Sequence, residues 1–159
     1  MISLSGLNNE QRQAAETIQG PVLILAGAGS GKTRTITYRI AHMVNNLNID
    51  PKSILGVSFT NKAAREMKER VANLLGNRKT RKITLSTFHS LGVKILKKEI
   101  TKLGYYTNFT IFDSSDQLSI VREALKMYRA DKSFDRKIIL SKIGYLKNNG
   151  ISSAEYCNS

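Results

Sequence analysis

The chain has 159 residues, 41% hydrophobic and 23% charged, a balance typical of a globular protein large enough to bury a core. Lysine and arginine total 25 against 12 acidic residues, and the net charge of +13 favours a polyanionic partner such as nucleic acid over a merely basic surface. The single cysteine, Cys157, excludes an internal disulfide and fits a cytoplasmic protein, and no apolar run is long enough to span a membrane.

The first third of the chain predicts a helix, a buried strand and a second helix. Asn8 or Asn9 can cap the first helix, which ends before Gly20-Pro21. The apolar run 21–25 predicts a buried parallel strand, and apolar residues at helical spacing over 34–44 predict the second helix. The glycine-rich stretch 26–33 (AGAGSGKT) joins them. In such an arrangement, backbone N–H groups converge on phosphates at the start of a helix.

The glycine-rich stretch has the residue types of a phosphate-binding P-loop. Its three glycines let the backbone bend and approach phosphate oxygens closely. Lys32 supplies a mobile charge, and the Thr33 hydroxyl can bind Mg²⁺. Ala26 departs from the general pattern, which begins with glycine. The alternative is an ordinary glycine-rich turn, which the flanking strand and helix disfavour.

Two further strand–helix units follow, and they predict a parallel α/β sheet flanked by helices. The predicted strands cover 54–59 and 83–86, and the predicted helices cover 61–75 and 88–102. The basic loop at 77–82 between them is interpreted as solvated, with a phosphate-binding patch as the alternative. Polar segments follow both strands, FTNKAAREM at 59–67 and STFHS at 86–90. Ligands of open α/β sheets bind at the carboxyl ends of strands. Aromatic, amide and basic side chains at that edge suit a single-stranded nucleic acid.

The last third of the sequence predicts helices and a separate subdomain. A capping box at 114–117 begins a predicted helix over 115–130, and a further helix covers 135–149. A second capping box, at 152–155, predicts a helix that starts four residues before the sequence stops. We interpret this last feature as truncation.

The order of these motifs resembles that of superfamily 1 DNA helicases of the UvrD/Rep/PcrA group. The resemblance rests on a Q-motif, Leu7-Asn8-x-x-Gln11, on the AGAGSGKTR form of the P-loop, and on the FTNKAAREM and STFHS segments. Ala26 is normal in that group. The resemblance is strong over 7–92 and looser afterwards. It implies a RecA-like P-loop NTPase fold, with 1–103 as the N-terminal part of ATP-binding domain 1A and 104–159 as part of the helical subdomain 1B.

The resemblance also implies an ATP site. Gln11 would read the adenine edge, with a solvated helix residue as the alternative, and Arg34 would pack beside the adenine ring. Lys32 and Thr33 would be the catalytic residues, and Thr33 would bind Mg²⁺ together with the nucleotide. The complete set of implied ATP-binding residues is Gln11, Ala26, Gly27, Ala28, Gly29, Ser30, Gly31, Lys32, Thr33 and Arg34.

A second site implied by the resemblance contacts single-stranded DNA. Its residues would be Phe59, Thr60, Asn61, Lys62, Thr87, Phe88 and His89. For Phe59 the alternative is a place in the core, and for His89 a hydrogen bond to a neighbouring loop. No Asp-Glu pair ends a predicted strand, so the carboxylates that would hold Mg²⁺ and orient water are missing from this sequence. Compared with the family that it resembles, the sequence is also expected to lack the arginine fingers and the second motor domain.

We therefore expect the N-terminal segment of an ATP-dependent 3′–5′ DNA helicase, cytoplasmic and acting in repair or replication. Its cofactors would be ATP and Mg²⁺, and its partners single-stranded DNA, single-strand/duplex junctions and the remainder of the helicase, without which it would be inactive. Two alternatives stay open. A P-loop kinase for a small molecule fits the length, but not the charge or the polar strand ends. A stand-alone nucleic-acid-binding module could retain a relic nucleotide site.

Overall fold

The computed structural model describes residues 1–27, 29–130 and 134–158 of the chain. The chain divides into two units, Met1–Thr107 and Asn108–Ser159. Short 3₁₀ turns cover Pro51–Ser53 and Ile100–Leu103. The first unit contains α1 (Asn9–Glu16), α2 (Lys32–Asn45), β1 (Leu55–Ser58), α3 (Asn61–Leu75), α4 (Asn77–Thr80), β2 (Thr84–Thr87) and α5 (Phe88–Glu99). The second unit contains α6 (Ser114–Met127), α7 (Arg136–Asn148) and α8 (Ser153–Cys157).

The two strands of the first unit are parallel and pair in register. Leu55 lies opposite Thr84, and Ser58 lies opposite Thr87. Helix α3 provides the crossover between the strands, as a parallel pair requires. The parallel α/β arrangement that the sequence predicts is confirmed. Because the strands end level with one another, the residues that follow them lie at the same edge of the sheet.

The core of the first unit lies where α2 and α3 pack against these strands. Its buried side chains are Ile40, Val44, Ile54, Met67, Val71 and Ile83. A smaller apolar cluster of Leu4, Leu7 and Ala15, with Tyr38 of α2 against it, holds the N-terminal segment and α1 onto α2. The two clusters fix α2, the helix that follows the glycine-rich stretch, from both sides. Apolar packing therefore holds the middle and the C-terminal half of α2, where Tyr38, Ile40 and Val44 lie.

The predicted strand over 21–25 is absent from the structure. These residues have no regular secondary structure, and Leu23 and Leu25 are 83% and 86% exposed. A strand buried on both faces needs neighbouring strands for its N–H and C=O groups. Within the described ranges β1 and β2 pair only with each other, so the predicted three-stranded sheet has two strands.

Several predicted boundaries shift for local reasons. Part of the predicted basic loop at 77–82 forms the short helix α4, and the predicted helix over 88–102 tightens into a 3₁₀ turn after Glu99. The capping box of α6 begins at Asp113, one residue earlier than predicted, because the extended backbone of Asp113 aims its carboxylate at the N–H groups of Ser115 and Asp116. The second capping box, Ser152 with Glu155, is confirmed.

The second unit consists of α6 and α7 packed together, followed by α8. Val121 of α6 is its most buried apolar side chain among the described residues. Across both units, no helix in the described ranges is long and apolar enough to cross a membrane.

Candidate nucleotide and nucleic-acid site

The turn from the glycine-rich stretch into α2 depends on glycine at position 31. Gly31 precedes the helix with φ of 89°, and Gly29 has φ of 78°. Residues other than glycine rarely adopt this left-handed backbone conformation. A Cβ on Gly31 would also lie 2.8 Å from Nε2 of Gln11. The backbone conformation and the close approach of Gln11 both require glycine here.

Lys32 is the first residue of α2, and its side chain folds back over the loop. Its Nζ donates hydrogen bonds to the main-chain oxygens of Ala26 (2.9 Å) and Gly27 (2.6 Å). Lys32 and Thr33 are both exposed at this helix end. The first N–H groups of a helix lack intrahelical acceptors, and the helix dipole adds partial positive charge there. An ammonium group at a helix N-terminus is suited to hold phosphate oxygens.

The loop itself is closed by Ser30. Its hydroxyl donates to the main-chain oxygen of Gly27 at 2.8 Å, and its N–H donates to the same oxygen at 3.4 Å. Ala28, which the sequence analysis assigns to the ATP site, lies outside the described residues. The described part of the loop therefore forms a tight turn with its carbonyl oxygens directed toward Ser30 and Lys32.

Gln11 connects α1 to this loop. Its Nε2 donates to the main-chain oxygen of Ser30 at 2.9 Å, and its Oε1 accepts the N–H of Asn8 at 3.2 Å. The side chain of Asn8 in turn accepts the N–H of Gln11, which completes a capping box for α1. The structure thus brings the half-buried Gln11 to the glycine-rich turn, and its contact with adenine stays a prediction.

Arg34 also lies at this site. Its Nη2 donates to the main-chain oxygen of Gly6 at 2.8 Å, and its guanidinium carbon lies 5.7 Å from the ring centroid of Tyr38. A cation over a tyrosine ring at this distance is a favourable contact. The sequence analysis did not single out Tyr38. The spacing of four residues between Arg34 and Tyr38 on one helix could have indicated the pair.

Two aromatic rings mark the carboxyl ends of the strands. Phe59 and Phe88 directly follow Ser58 and Thr87, which pair across the sheet. Their ring centroids are 5.2 Å apart, with 45° between the ring planes. Phe59 is 87% exposed and Phe88 is 50% exposed. Phe59 therefore does not belong to the core, and the two rings form an exposed aromatic pair.

The other residues predicted to contact DNA begin the two helices that follow the strands. Thr60 and Thr87 are N-caps: their hydroxyl oxygens accept the N–H groups of Ala63 (3.1 Å) and Ser90 (3.2 Å). Thr87 is buried, and its hydroxyl also donates to that of Ser90. The side chains of Asn61, Lys62 and His89 are exposed in the first turns of α3 and α5.

The side chains of this site offer few ligands for a metal ion in the absence of nucleotide. No group of three or more histidine, cysteine, aspartate or glutamate side chains that could hold a metal occurs in ranges 1–27, 29–130 and 134–158. The Thr33 hydroxyl is exposed beside Lys32 at the start of α2. A divalent cation there would need phosphate oxygens or water for most of its ligands.

Comparison with known proteins identifies the family. Residues 7–158 match the family model of the UvrD/REP helicase N-terminal domain, and the chain belongs to that family. Among its relatives are three proteins named ATP-dependent DNA helicase PcrA. The relative from Leuconostoc citreum is 45% identical over 156 residues, which cover 98% of this chain and 21% of the relative.

The other two relatives have similar sequence identity and coverage. The protein from Bacillus subtilis (strain 168) is 47% identical over 96% of this chain and 21% of its own length. The protein from Staphylococcus aureus (strain NCTC 8325 / PS 47) is 46% identical over 91% of this chain and 20% of its own length. The chain thus spans about a fifth of the length of these relatives.

Proposed function

We propose that this chain is the ATP-binding N-terminal segment of an ATP-dependent 3′–5′ DNA helicase. One observation carries the proposal: the first unit holds both a lysine-bearing helix N-terminus, with Gln11 and Arg34 beside it, and an exposed aromatic pair at its strand ends. The family and the names of its relatives support the same function. The partners would be single-stranded DNA, single-strand/duplex junctions and the remainder of the helicase.

In the proposed nucleotide site, Lys32 and the first N–H groups of α2 hold the phosphates of ATP. Lys32 would exchange its bonds to Ala26 and Gly27 for bonds to phosphate oxygens. Thr33 would bind Mg²⁺, which would neutralise phosphate charge. Gln11 and Arg34 would contact the adenine. This role requires Gln11 to release either Asn8 or Ser30, because its amide is bonded to both.

The RecA-like P-loop fold is part of the proposal. The exposed apolar segment 21–25 would become a strand of domain 1A once neighbouring strands from the remainder of the helicase satisfied its backbone groups. The proposed division is 1–103 for domain 1A and 104–159 for part of subdomain 1B. Hydrolysis also needs carboxylates and an arginine finger that the P-loop does not supply. We therefore propose that the chain alone binds nucleotide weakly and unwinds no DNA.

In the proposed nucleic-acid site, Phe59 and Phe88 provide surfaces on which bases stack. Asn61, Lys62 and His89 would contact the DNA backbone from the first turns of α3 and α5, while Thr60 and Thr87 would contribute through the helix ends that they cap. Such contacts to phosphates and ring faces are independent of sequence, as translocation along a strand requires. The proposed setting is the cytoplasm, in DNA repair or replication.

The nucleotide site is tested by Lys32→Ala, with Lys52→Ala as a matched control because Lys52 is also exposed and lies before β1. We expect Lys32→Ala to weaken binding of Mg·ATP to the chain by about tenfold or more, as measured by calorimetry, and Lys52→Ala to leave it unchanged. In the complete helicase, Lys32→Ala should abolish ATP turnover and preserve DNA binding. Normal turnover in that variant would refute the nucleotide site.

The aromatic pair is tested by Phe59→Ala and Phe88→Ala. Each variant should weaken binding of oligothymidylate by about 1–3 kcal/mol, because one stacking surface is removed. Unchanged affinity in both variants would refute the nucleic-acid site. Phosphoryl transfer to a small acceptor without DNA would favour the kinase alternative. DNA affinity that is the same with and without Mg·ATP would favour the relic module.

A further inference from the structure

Helix α1, which carries Gln11, has few interactions of its own to fix its position. It has eight residues, and an isolated helix of that length is marginal in water. Among the described residues of α1, only Ala15 is buried. The last turn of α1 contains no basic side chain, although a cation stabilises that end of a helix. The position of Gln11 therefore depends on contacts that other elements make with α1.

Arg39 of α2 supplies a cation to the end of α1. Its Nη1 donates hydrogen bonds to the main-chain oxygens of Ala14 (2.6 Å) and of Thr17, the C-cap residue of α1. The last carbonyl groups of a helix have no donors within the helix, so Arg39 satisfies acceptors that α1 cannot satisfy itself. Arg39 is half-buried, and hydrogen bonds from a charged donor are stronger than those between neutral groups. Arg39 thus fixes the C-terminal end of α1 to α2.

The other end of α1 is held by the bond from Gln11 to Ser30, which lies two residues before α2. Arg39 follows Lys32 by seven residues and therefore lies about 10 Å further along α2. A short helix that is attached at one point can pivot about that point. Two separate attachments, together with the apolar cluster that includes Ala15, restrict α1 to one orientation. The direction of the Gln11 amide therefore depends on Arg39.

We propose that Arg39 is a positioning residue of the nucleotide site, which keeps the amide of Gln11 where it would contact adenine. This inference rests on the proposed function, because it extends the proposed adenine contact to a further residue. Arg39 would act on the nucleotide only through Gln11. Removal of Arg39 should therefore weaken binding of Mg·ATP and preserve binding of Mg·tripolyphosphate, which has the phosphates but no base.

The test is a double-mutant cycle of Arg39→Ala, Gln11→Ala and the variant that carries both changes. Calorimetry measures binding of Mg·ATP and of Mg·tripolyphosphate to each chain, after circular dichroism at 222 nm has verified that the chain is folded. Arg122→Ala is the matched control, because it removes the same charged side chain from an exposed position on α6 in the second unit. Arg39→Lys is the conservative variant, since an ammonium group also donates to carbonyl oxygens. It replaces Arg39→Ala in the cycle if that variant does not fold.

We expect Arg39→Ala to weaken Mg·ATP binding about fivefold and to change Mg·tripolyphosphate binding by less than about twofold. The double variant should bind Mg·ATP no more weakly than Gln11→Ala alone, because the contact that Arg39 positions is already lost. Distant residues without a shared role would instead give additive losses. Arg39→Lys should recover part of the affinity, and Arg122→Ala should match the unchanged chain.

Three results would overturn the inference and leave the proposed function intact. They are additive losses in the double variant, equal weakening of Mg·ATP and Mg·tripolyphosphate by Arg39→Ala, and an affinity of Arg39→Ala for Mg·ATP that matches that of Arg122→Ala. If the unchanged chain binds neither Mg·ATP nor Mg·tripolyphosphate, the proposed nucleotide site fails, and the inference fails with it.

Discussion

Gln11 donates a hydrogen bond from Nε2 to the main-chain oxygen of Ser30 at 2.9 Å, across 19 positions of sequence. The other end of the same amide accepts the N–H of Asn8. An amide can donate and accept at once, which neither a carboxylate nor a hydrocarbon side chain can do. Gln11 therefore joins the start of α1 to the glycine-rich turn, and a change at Gln11 affects both.

The double role of Gln11 predicts different effects for two substitutions. Gln11→Ala removes the capping box and the bond to Ser30, and we expect it to lower the free energy of unfolding by about 1–2 kcal/mol. Gln11→Glu retains an acceptor for Asn8 but loses the donor to Ser30. The loss of unfolding free energy should be smaller in Gln11→Glu than in Gln11→Ala. Binding of Mg·ATP should be weakened equally in both variants. Urea unfolding and calorimetric titration measure the two effects. Wild-type behaviour of Gln11→Glu in both assays would contradict the link.

Gly31 offers a sharp test of the turn before α2. Gly31→Ala places a Cβ on a residue with φ of 89° and 2.8 Å from Gln11 Nε2, and we expect a loss of about 2 kcal/mol in unfolding free energy. Gly27→Ala is the control, because no atom lies within 4 Å of a Cβ built there and its φ is not in the left-handed region. It should change stability by less than about 0.5 kcal/mol. Equal stability of the two variants would show that the turn tolerates side chains at position 31.

Two substitutions at Thr60 distinguish its role as a helix cap from a direct contact with DNA. Thr60→Ala loses the acceptor for the N–H of Ala63, and we expect α3 to be destabilised by about 1 kcal/mol. Thr60→Ser keeps the hydroxyl and should preserve stability. Anisotropy titration of oligothymidylate under conditions where both variants are folded should give nearly equal affinities. A tenfold weaker affinity of Thr60→Ala alone would instead assign the hydroxyl to DNA.

The hydrogen bonds of the Asp113 carboxylate predict that the start of α6 is sensitive to acid. Hydrogen bonds from the N–H of Asp116, and from the hydroxyl and N–H of Ser115, lower the pKa of the Asp113 carboxyl below its usual value of 3.8. Because the folded-state pKa is lower than the unfolded-state pKa, the ionised cap stabilises the fold at all pH values above about 4. The stabilisation is lost as pH falls through the folded-state pKa.

Asp113→Asn is the matched variant, because an asparagine side chain caps a helix without titrating in this range. Circular dichroism at 222 nm, followed as the pH is lowered from about 6 to 2, should show an acid-induced loss of helix that is smaller in Asp113→Asn. Identical acid profiles of the two proteins would show that the Asp113 carboxylate does not control α6.

Helix α3 shows what local sequence can predict. Its bounds, Asn61–Leu75, match the prediction because every signal lies within the segment: the apolar residues Ala64, Met67 and Val71 face one way, and Gly76 ends the helix. The glycine-rich turn is predictable for the same reason. Its conformation depends on glycine at particular positions and on the start of the next helix.

The segment 21–25 shows where that reasoning fails. Its apolar residues have the composition of a buried strand, but strand pairing depends on partners that are distant in sequence. The contacts within the site could not be predicted from the sequence for a similar reason. Neither the bond from Arg34 to Gly6 nor the distance between Phe59 and Phe88 follows from local pattern, because both depend on how separate segments pack.

The spacing of the aromatic pair limits how a base can bind to it. Neighbouring strands lie about 4.8 Å apart. The ring centroids of Phe59 and Phe88, which directly follow the two strands, are 5.2 Å apart. A flat base sandwiched between two rings needs about 7 Å, twice the contact distance of about 3.5 Å between carbon atoms. In this arrangement the space between the rings is too small for a base, so we expect bases to stack on the outer faces of the rings. A strand held in that way can slide past the pair without any ring having to open and close around each base.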